Sequence, residues 1–187
     1  MVACEVMADP IPPRYIQTHR LALRPITRGD THAIFRYASS PTVTRFVEFA
    51  QHTALQDSET FALECERAWG SGTAAPWAIV LRTTDEFVGV IELRLRPPKA
   101  DFGYVLDEAF WGHGYATEAA TAVVNWAIAQ PAIDRVWATC DPANRASARV
   151  LEKAGLHCET RLESWAARPQ HGQAAGPSLL YALTKPV

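Results

Sequence analysis

From residue 19 onward the apolar positions switch between a period of two and helical spacing, and the changes of period mark the elements. In the first run Leu21, Leu23 and Pro25 share one face and Arg20, Ala22 and Arg24 the other, which predicts a strand. Asp30 then stands as N-cap of a short helix running through Ser39, which Pro41 ends. A second helix is predicted over residues 53–69. Thr53 and Gln56 have capping-box spacing, Phe61, Ala62, Cys65 and Trp69 recur at helical intervals, and Gly70 supplies the stop. Residues 77–83 and 87–95 are apolar, β-branched runs around Thr84, Asp85 and Glu86, the pattern of a hairpin. A turn at Pro97 and Pro98 leads to another strand over 101–107.

The second half is organised around residues 110–119, FWGHGYATEA, which read as the end of a strand, a glycine turn and a helix start. The helix that follows buries Ala116, Ala120, Val123, Val124, Ala127 and Ile128, and Pro131 lies just past its end. A strand over 135–140 runs into Asp141, Pro142, Ala143 and Asn144, and a helix over 145–154 is stopped by Gly155. The tail alternates over 159–166, loops through Gly172 and Gly176, and closes with a strand over 178–184. Residues 1–17 hold Pro10, Pro12 and Pro13 without periodicity, which reads as an arm on the surface or disordered, ahead of a single domain over 18–187.

Composition narrows the class. The 187 residues suffice for one domain with a substantial core, and 48% hydrophobic with 20% charged residues is a globular composition. A net charge of −2 offers no basic field for nucleic acid and no polybasic membrane patch, which leaves small-molecule or peptide chemistry. Cys4, Cys65, Cys140 and Cys158 lack the close pairing of zinc or redox motifs and read as reduced thiols, and no histidine has a partner at metal spacing. No apolar run approaches the ~18 residues that span a bilayer, and Glu5 and Asp9 stand where a secretory leader carries basic residues, so a cytoplasmic location is expected.

A strand–glycine–helix junction suits anions, because a helix's first turn has unpaired N–H groups and the positive end of its dipole. Gly112 and Gly114 present no side chain and Ala116 almost none, so amides from His113 to Thr117 can close around a pyrophosphate. By themselves the glycines also fit a tight turn with no ligand. A dinucleotide fold fails on context, since its fingerprint opens an alternating βαβ unit and here the turn follows a series of antiparallel strands.

Two long motifs, FGYVLDEAFWGHGYATEA over 102–119 and DPANRASARVLEKAGL over 141–156, resemble the GNAT acetyltransferase superfamily, most closely the branch containing the N-terminal acetylases of ribosomal proteins. The element order agrees with that family from Arg20 onward. The resemblance implies an α+β fold with a central mixed, mostly antiparallel sheet splayed at its middle and flanked by helices. It also implies that acetyl-CoA is the co-substrate and an amine the acceptor. The pyrophosphate site then falls on Gly112, His113, Gly114, Tyr115, Ala116 and Thr117, and the backbone contacts to the pantetheine arm and thioester on Tyr104 and Leu106. Asn144 resembles the asparagine that reaches the coenzyme's arm, and Ser147 the serine that reprotonates the departing thiolate in the ribosomal-protein branch. Two positions depart from the pattern. Trp111 stands where relatives commonly have Gln or Arg, and Leu151 where many carry a tyrosine acid.

Amine acylation also needs a neutral nucleophile. An α-amino group of pKa ~8 is about a tenth neutral at pH 7, whereas a lysine at ~10.4 is neutral less than a thousandth of the time. The candidate bases are Glu92, inside an apolar strand, and Asp101, at the start of the strand expected to cradle the thioester; water-mediated proton loss stays open. The expected activity is N-acetylation of a peptide or protein N-terminus. The alternatives are a small-molecule amine (metabolite or antibiotic) as acceptor, and an acyl-CoA sensor without turnover. No metal, nucleic acid or membrane partner is expected, and a homodimer remains open.

Overall fold

The structure, a computed structural model, describes residues 10–72, 74–172 and 174–186. Its strands are β1 (Ile16–Gln17), β2 (Leu21–Pro25), β3 (Ala75–Leu81), β4 (Phe87–Arg96), β5 (Lys99–Leu106), β6 (Arg135–Cys140), β7 (His157–Ala167) and β8 (Ala175–Thr184). Its α-helices are α1 (Thr31–Ala38), α2 (Pro41–Thr44), α3 (Leu55–Ser71), α4 (Tyr115–Ala129) and α5 (Arg145–Lys153). Part of the expected arm is tied down: Ile16 and Gln17 pair with Leu23 and Ala22, and the Trp77 indole donates to the Pro13 carbonyl at 3.1 Å. Residues 1–9, with Cys4, Glu5 and Asp9, lie outside the described residues.

Helix ends differ from the sequence expectation where a competing partner wins. Asp30 does not cap α1; its carboxylate turns back to the Thr27 amide (2.9 Å) and to Arg24 (2.7 and 2.9 Å). Pro41 starts a helix rather than only ending one, because its missing N–H costs nothing at the first helical position. The cap of α3 comes from Asp57, which accepts from the Thr53 and Ala54 amides (2.8 and 3.0 Å), and not from a Thr53–Gln56 pair. The stop is Gly72, at φ +70, with Gly70 still inside the helix.

All eight strands join one sheet in the order β1-β2-β3-β4-β5-β6-β8-β7. Every pairing is antiparallel except β5 with β6, the parallel contact, which confirms the expected mixed α+β architecture. Alternate strand positions feed two cores. Trp77, Ile79, Ile91, Leu93 and Phe102 pack with Ala120, Val123 and Val124 of α4 and Leu151 of α5. Ala78, Val80 and Val90 pack with Ile34 and Tyr37 of α1 and Ala62 and Cys65 of α3. Helices therefore cover both faces, as the period-two strands and amphipathic helices require.

The parallel contact is short. It spans Lys99↔Arg135 to Asp101↔Trp137, and beyond it residues 102–106 of β5 have no partner on the β6 side. This is the splay, and the glycine turn and α4 follow directly from the diverging end of β5.

Candidate active site

At the end of β5, Asp107 accepts from the Ala109 amide at 3.0 Å and closes a short turn, Glu108–Phe110. The chain then passes Gly112 and Gly114, both in the left-handed region at φ +80 and +79, where a side chain would be strained. No side chain caps α4 at Gly114, so the first-turn amides of Tyr115, Ala116 and Thr117 have no partner within the helix.

Arg20 sets this turn from behind, a role that sequence reasoning missed. Its Nη1 donates to the His113 carbonyl at 2.9 Å, its Nε to Glu118 at 2.7 Å, and its guanidinium lies 4.7 Å from the Tyr115 ring centre. A trans peptide points its C=O and the following N–H in opposite directions, so holding the His113 carbonyl on Arg20 turns the Gly114 N–H to the other side. Glu118 also takes the Arg20 amide (2.7 Å) and the Thr18 hydroxyl (2.6 Å). Burial alone raises the Glu118 pKa, and these hydrogen bonds overcome it and hold the carboxyl below its ordinary value. The alternation of β2 marks Arg20 as a polar position but carries no sign of what it faces. The His113 ring stacks on Tyr115 at 5.6 Å, so in this turn it is the backbone of His113 that is held.

Three of the sequence-predicted residues meet at the splay, Tyr104, Asn144 and Ser147, and Leu106 lies two residues further along β5. Asn144 caps α5, its Oδ1 accepting from the Ser147 amide at 3.1 Å, which commits the oxygen and leaves the Nδ2 donors. Ser147, on the first turn of α5, meets Tyr104 of β5: the phenol oxygen lies 2.8 Å from Ser147 Oγ. Expected only as a backbone contact, Tyr104 thus also contributes its side chain. The Leu106 carbonyl accepts from the Trp111 indole at 3.0 Å, so its amide is the group left for a ligand. Leu151 is buried in the core and offers the site nothing polar. Cys140, at the end of β6, is a free thiol whose pKa is pushed up to about 11, first by burial.

The two carboxylates share one face with Arg94, another residue that sequence reasoning missed. Asp101 is buried, and its Oδ2 accepts from Arg94 Nε at 2.6 Å and Nη2 at 2.5 Å. Glu92 lies 3.4 Å from Arg94 Nη1 and stays a third exposed. The link follows from register, since Arg94 is paired across the hairpin with Asp101 and lies two residues from Glu92 on the same face.

An uncapped, glycine-led helix at the fork of a splayed sheet offers its first-turn amides to an anion, outside the alternating βαβ context of a dinucleotide fold. Residues 20–157 match the acetyltransferase (GNAT) domain, well over half of the chain, and the protein belongs to this family of acyltransferases. It is 28% identical over 153 residues to the uncharacterized N-acetyltransferase YoaA of Bacillus subtilis, covering 80% of this chain and 86% of that one. Its fold is similar to that of the microcin C7 self-immunity acetyltransferase MccE, solved with acetyl-CoA and AMP (TM-score 0.82, 15% identity, 94% of this chain and 98% of the other). It is also similar to RimL, the ribosomal L7/L12 alpha-N-protein acetyltransferase, solved with coenzyme A (TM-score 0.79, 19% identity, 91% and 97%). Acetyl-CoA is the co-substrate of the GNAT fold, and the glycine turn with its unpaired amides fits the pyrophosphate of that molecule.

Proposed function

We propose that this acetyltransferase acts on the α-amine at the N-terminus of a protein or peptide. The observation that carries the reading is the pairing of both candidate bases with Arg94. Asp101 spends one oxygen on two guanidinium hydrogen bonds from Arg94 and has Arg96 3.9 Å from the other, so of the two candidate bases it is Glu92, a third exposed, that keeps an open side. A site so equipped is suited to an amine that is already partly neutral at pH 7, which an α-amine is and a lysine is not. That RimL is described as an alpha-N-protein acetyltransferase supports the same choice.

In this reading the amides from Gly112 to Thr117 hold the pyrophosphate, with the Gly114 N–H turned toward it by Arg20. The backbone of Tyr104 and the Leu106 amide line the pantetheine arm, and Asn144 donates from Nδ2. A strand amide aimed at the thioester carbonyl stabilises the oxyanion, an effect worth ~3–4 kcal/mol where one such donor has been removed elsewhere. As the amine nitrogen bonds to the thioester carbon, Glu92 takes a proton from it through water; the C–S bond then breaks, Ser147 donates to the leaving sulfur, and the proton it passes to the thiolate is replaced from water.

The test uses one peptide with a free N-terminus and an internal lysine, incubated with acetyl-CoA at pH 7 and located by fragmentation. Acetyl on the N-terminus is expected. Acetyl mainly on lysine overturns the reading, and transfer to small amines with none to the peptide favours a metabolite acceptor.

A further inference from the structure

Tyr104 and Ser147 are 43 residues apart and meet where β5 leaves β6, the phenol oxygen 2.8 Å from Ser147 Oγ and 3.4 Å from the Ser147 carbonyl oxygen. We propose that Tyr104 is a positioning residue for acyl transfer, its phenol donating to Ser147 Oγ so that the serine's own hydrogen is turned toward the sulfur of the departing thiol. The inference rests on the role of Ser147 given above and supplies what makes that hydroxyl a directed donor.

A serine hydroxyl has one hydrogen and two lone pairs, so when a neighbour donates to one lone pair the hydroxyl hydrogen is left to point elsewhere. A phenol is much the stronger acid of the two, which makes Tyr104 the donor and Ser147 the acceptor in their pair. Burial raises the Tyr104 pKa further, and the phenol stays protonated over the working range of an enzyme. Ser147 also hydrogen-bonds with the Cys140 thiol, which burial keeps neutral and which is a weak acceptor. A developing thiolate outcompetes it for the Ser147 hydrogen, as a charged acceptor does. The Ser147 backbone is fixed by the Asn144 cap, and its place on the first turn of α5 favours negative charge there.

The contact also explains why the pair sits at the splay. Tyr104 belongs to the stretch of β5 without a β6 partner, and its side chain reaches Ser147 of α5 from there.

Tyr104→Phe removes the hydroxyl and keeps the ring. With acetyl-CoA and a peptide carrying a free N-terminus, kcat is expected to fall about five- to tenfold with KM for acetyl-CoA unchanged. Ser147→Ala is expected to lose as much or more, and the double variant no more than Ser147→Ala, because Tyr104 acts through Ser147. A second measurement needs no acceptor: the ultraviolet absorbance of the bound CoA thiolate, read against the desulfo coenzyme, is expected to titrate at higher pH in Tyr104→Phe than in wild type. A merely structural tyrosine moves the melting temperature and leaves that titration in place. Wild-type kcat and titration in Tyr104→Phe, or losses that multiply in the double variant, would overturn the proposal. If wild type acetylates no amine at all, the transfer reading fails, while the bound-thiol titration still decides the Tyr104–Ser147 pair.

Discussion

Glu118, on the first turn of α4, and Arg20, just before β2, form an ion pair at 2.7 Å, and the same carboxylate accepts from the Arg20 amide and the Thr18 hydroxyl. One acidic side chain thereby fastens the start of the sheet to the helix that carries the glycine turn. Because the folded-state pKa of Glu118 is held below its ordinary value, its contribution to stability is complete above the ordinary carboxylate range. It is lost as pH falls through the lowered folded-state value. Glu118→Gln is expected to melt at a lower temperature than wild type near neutrality, and the gap should narrow below about pH 4. Melting curves from about pH 7 to about pH 3 check this; a gap that stays constant would remove Glu118 from the account.

In the proposed function, coenzyme binding rests on the Gly114 backbone being both left-handed and open. Gly114→Val strains φ +79 and places a branched side chain beside the first-turn amides, its Cβ in ordinary contact with Arg20 Nη2. Affinity for acetyl-CoA is expected to drop more than tenfold while circular dichroism stays native. Calorimetry on the folded variant measures it, and unchanged affinity would remove the phosphate role of the turn.

Asn144 caps α5 and, in the proposed function, also donates to the coenzyme's arm, and two substitutions separate these roles. Asn144→Ala removes the α5 cap, costing about 1 kcal/mol of stability, and removes the Nδ2 donor, raising KM for acetyl-CoA about fivefold. Asn144→Ser restores a capping oxygen without an amide donor. Recovery of stability but not of KM is the expected result of a denaturation curve paired with steady-state kinetics.

Close approach of β4 to the end of β5 rests on Gly89. A Cβ there would lie 2.3 Å from the Val105 carbonyl oxygen and 2.8 Å from Leu106 Cα, both backbone atoms that yield little. Gly89→Ala is expected to destabilise by about 2–3 kcal/mol or more and to weaken coenzyme binding, because residues 105–106 lead into the glycine turn. Urea unfolding gives the first quantity and calorimetry the second.

By itself the sequence determined most of the elements and the position of the turn, because both depend on interactions within a few residues. Val123, Val124 and Ala127 recur at helical spacing whatever surrounds them, and Gly112 and Gly114 permit left-handed backbone that other residues resist. The long motifs around that turn and around Asn144 were also enough to show the resemblance to the family. Helix ends were less legible, since Asp30 and Asp57 each had a choice of partners that spacing does not rank. Tertiary structure alone decided the rest of the site. Glu118 meets Arg20 across 98 residues, Tyr104 meets Ser147 across 43, and Asp101 meets Arg94 through strand register. The first depends on how α4 lies beside the start of β2, the second on where the short parallel contact of β5 and β6 ends and how α5 lies against the fork, and the third on the pairing of β4 with β5. That geometry is set by packing of the whole core, and no local pattern of residues encodes it.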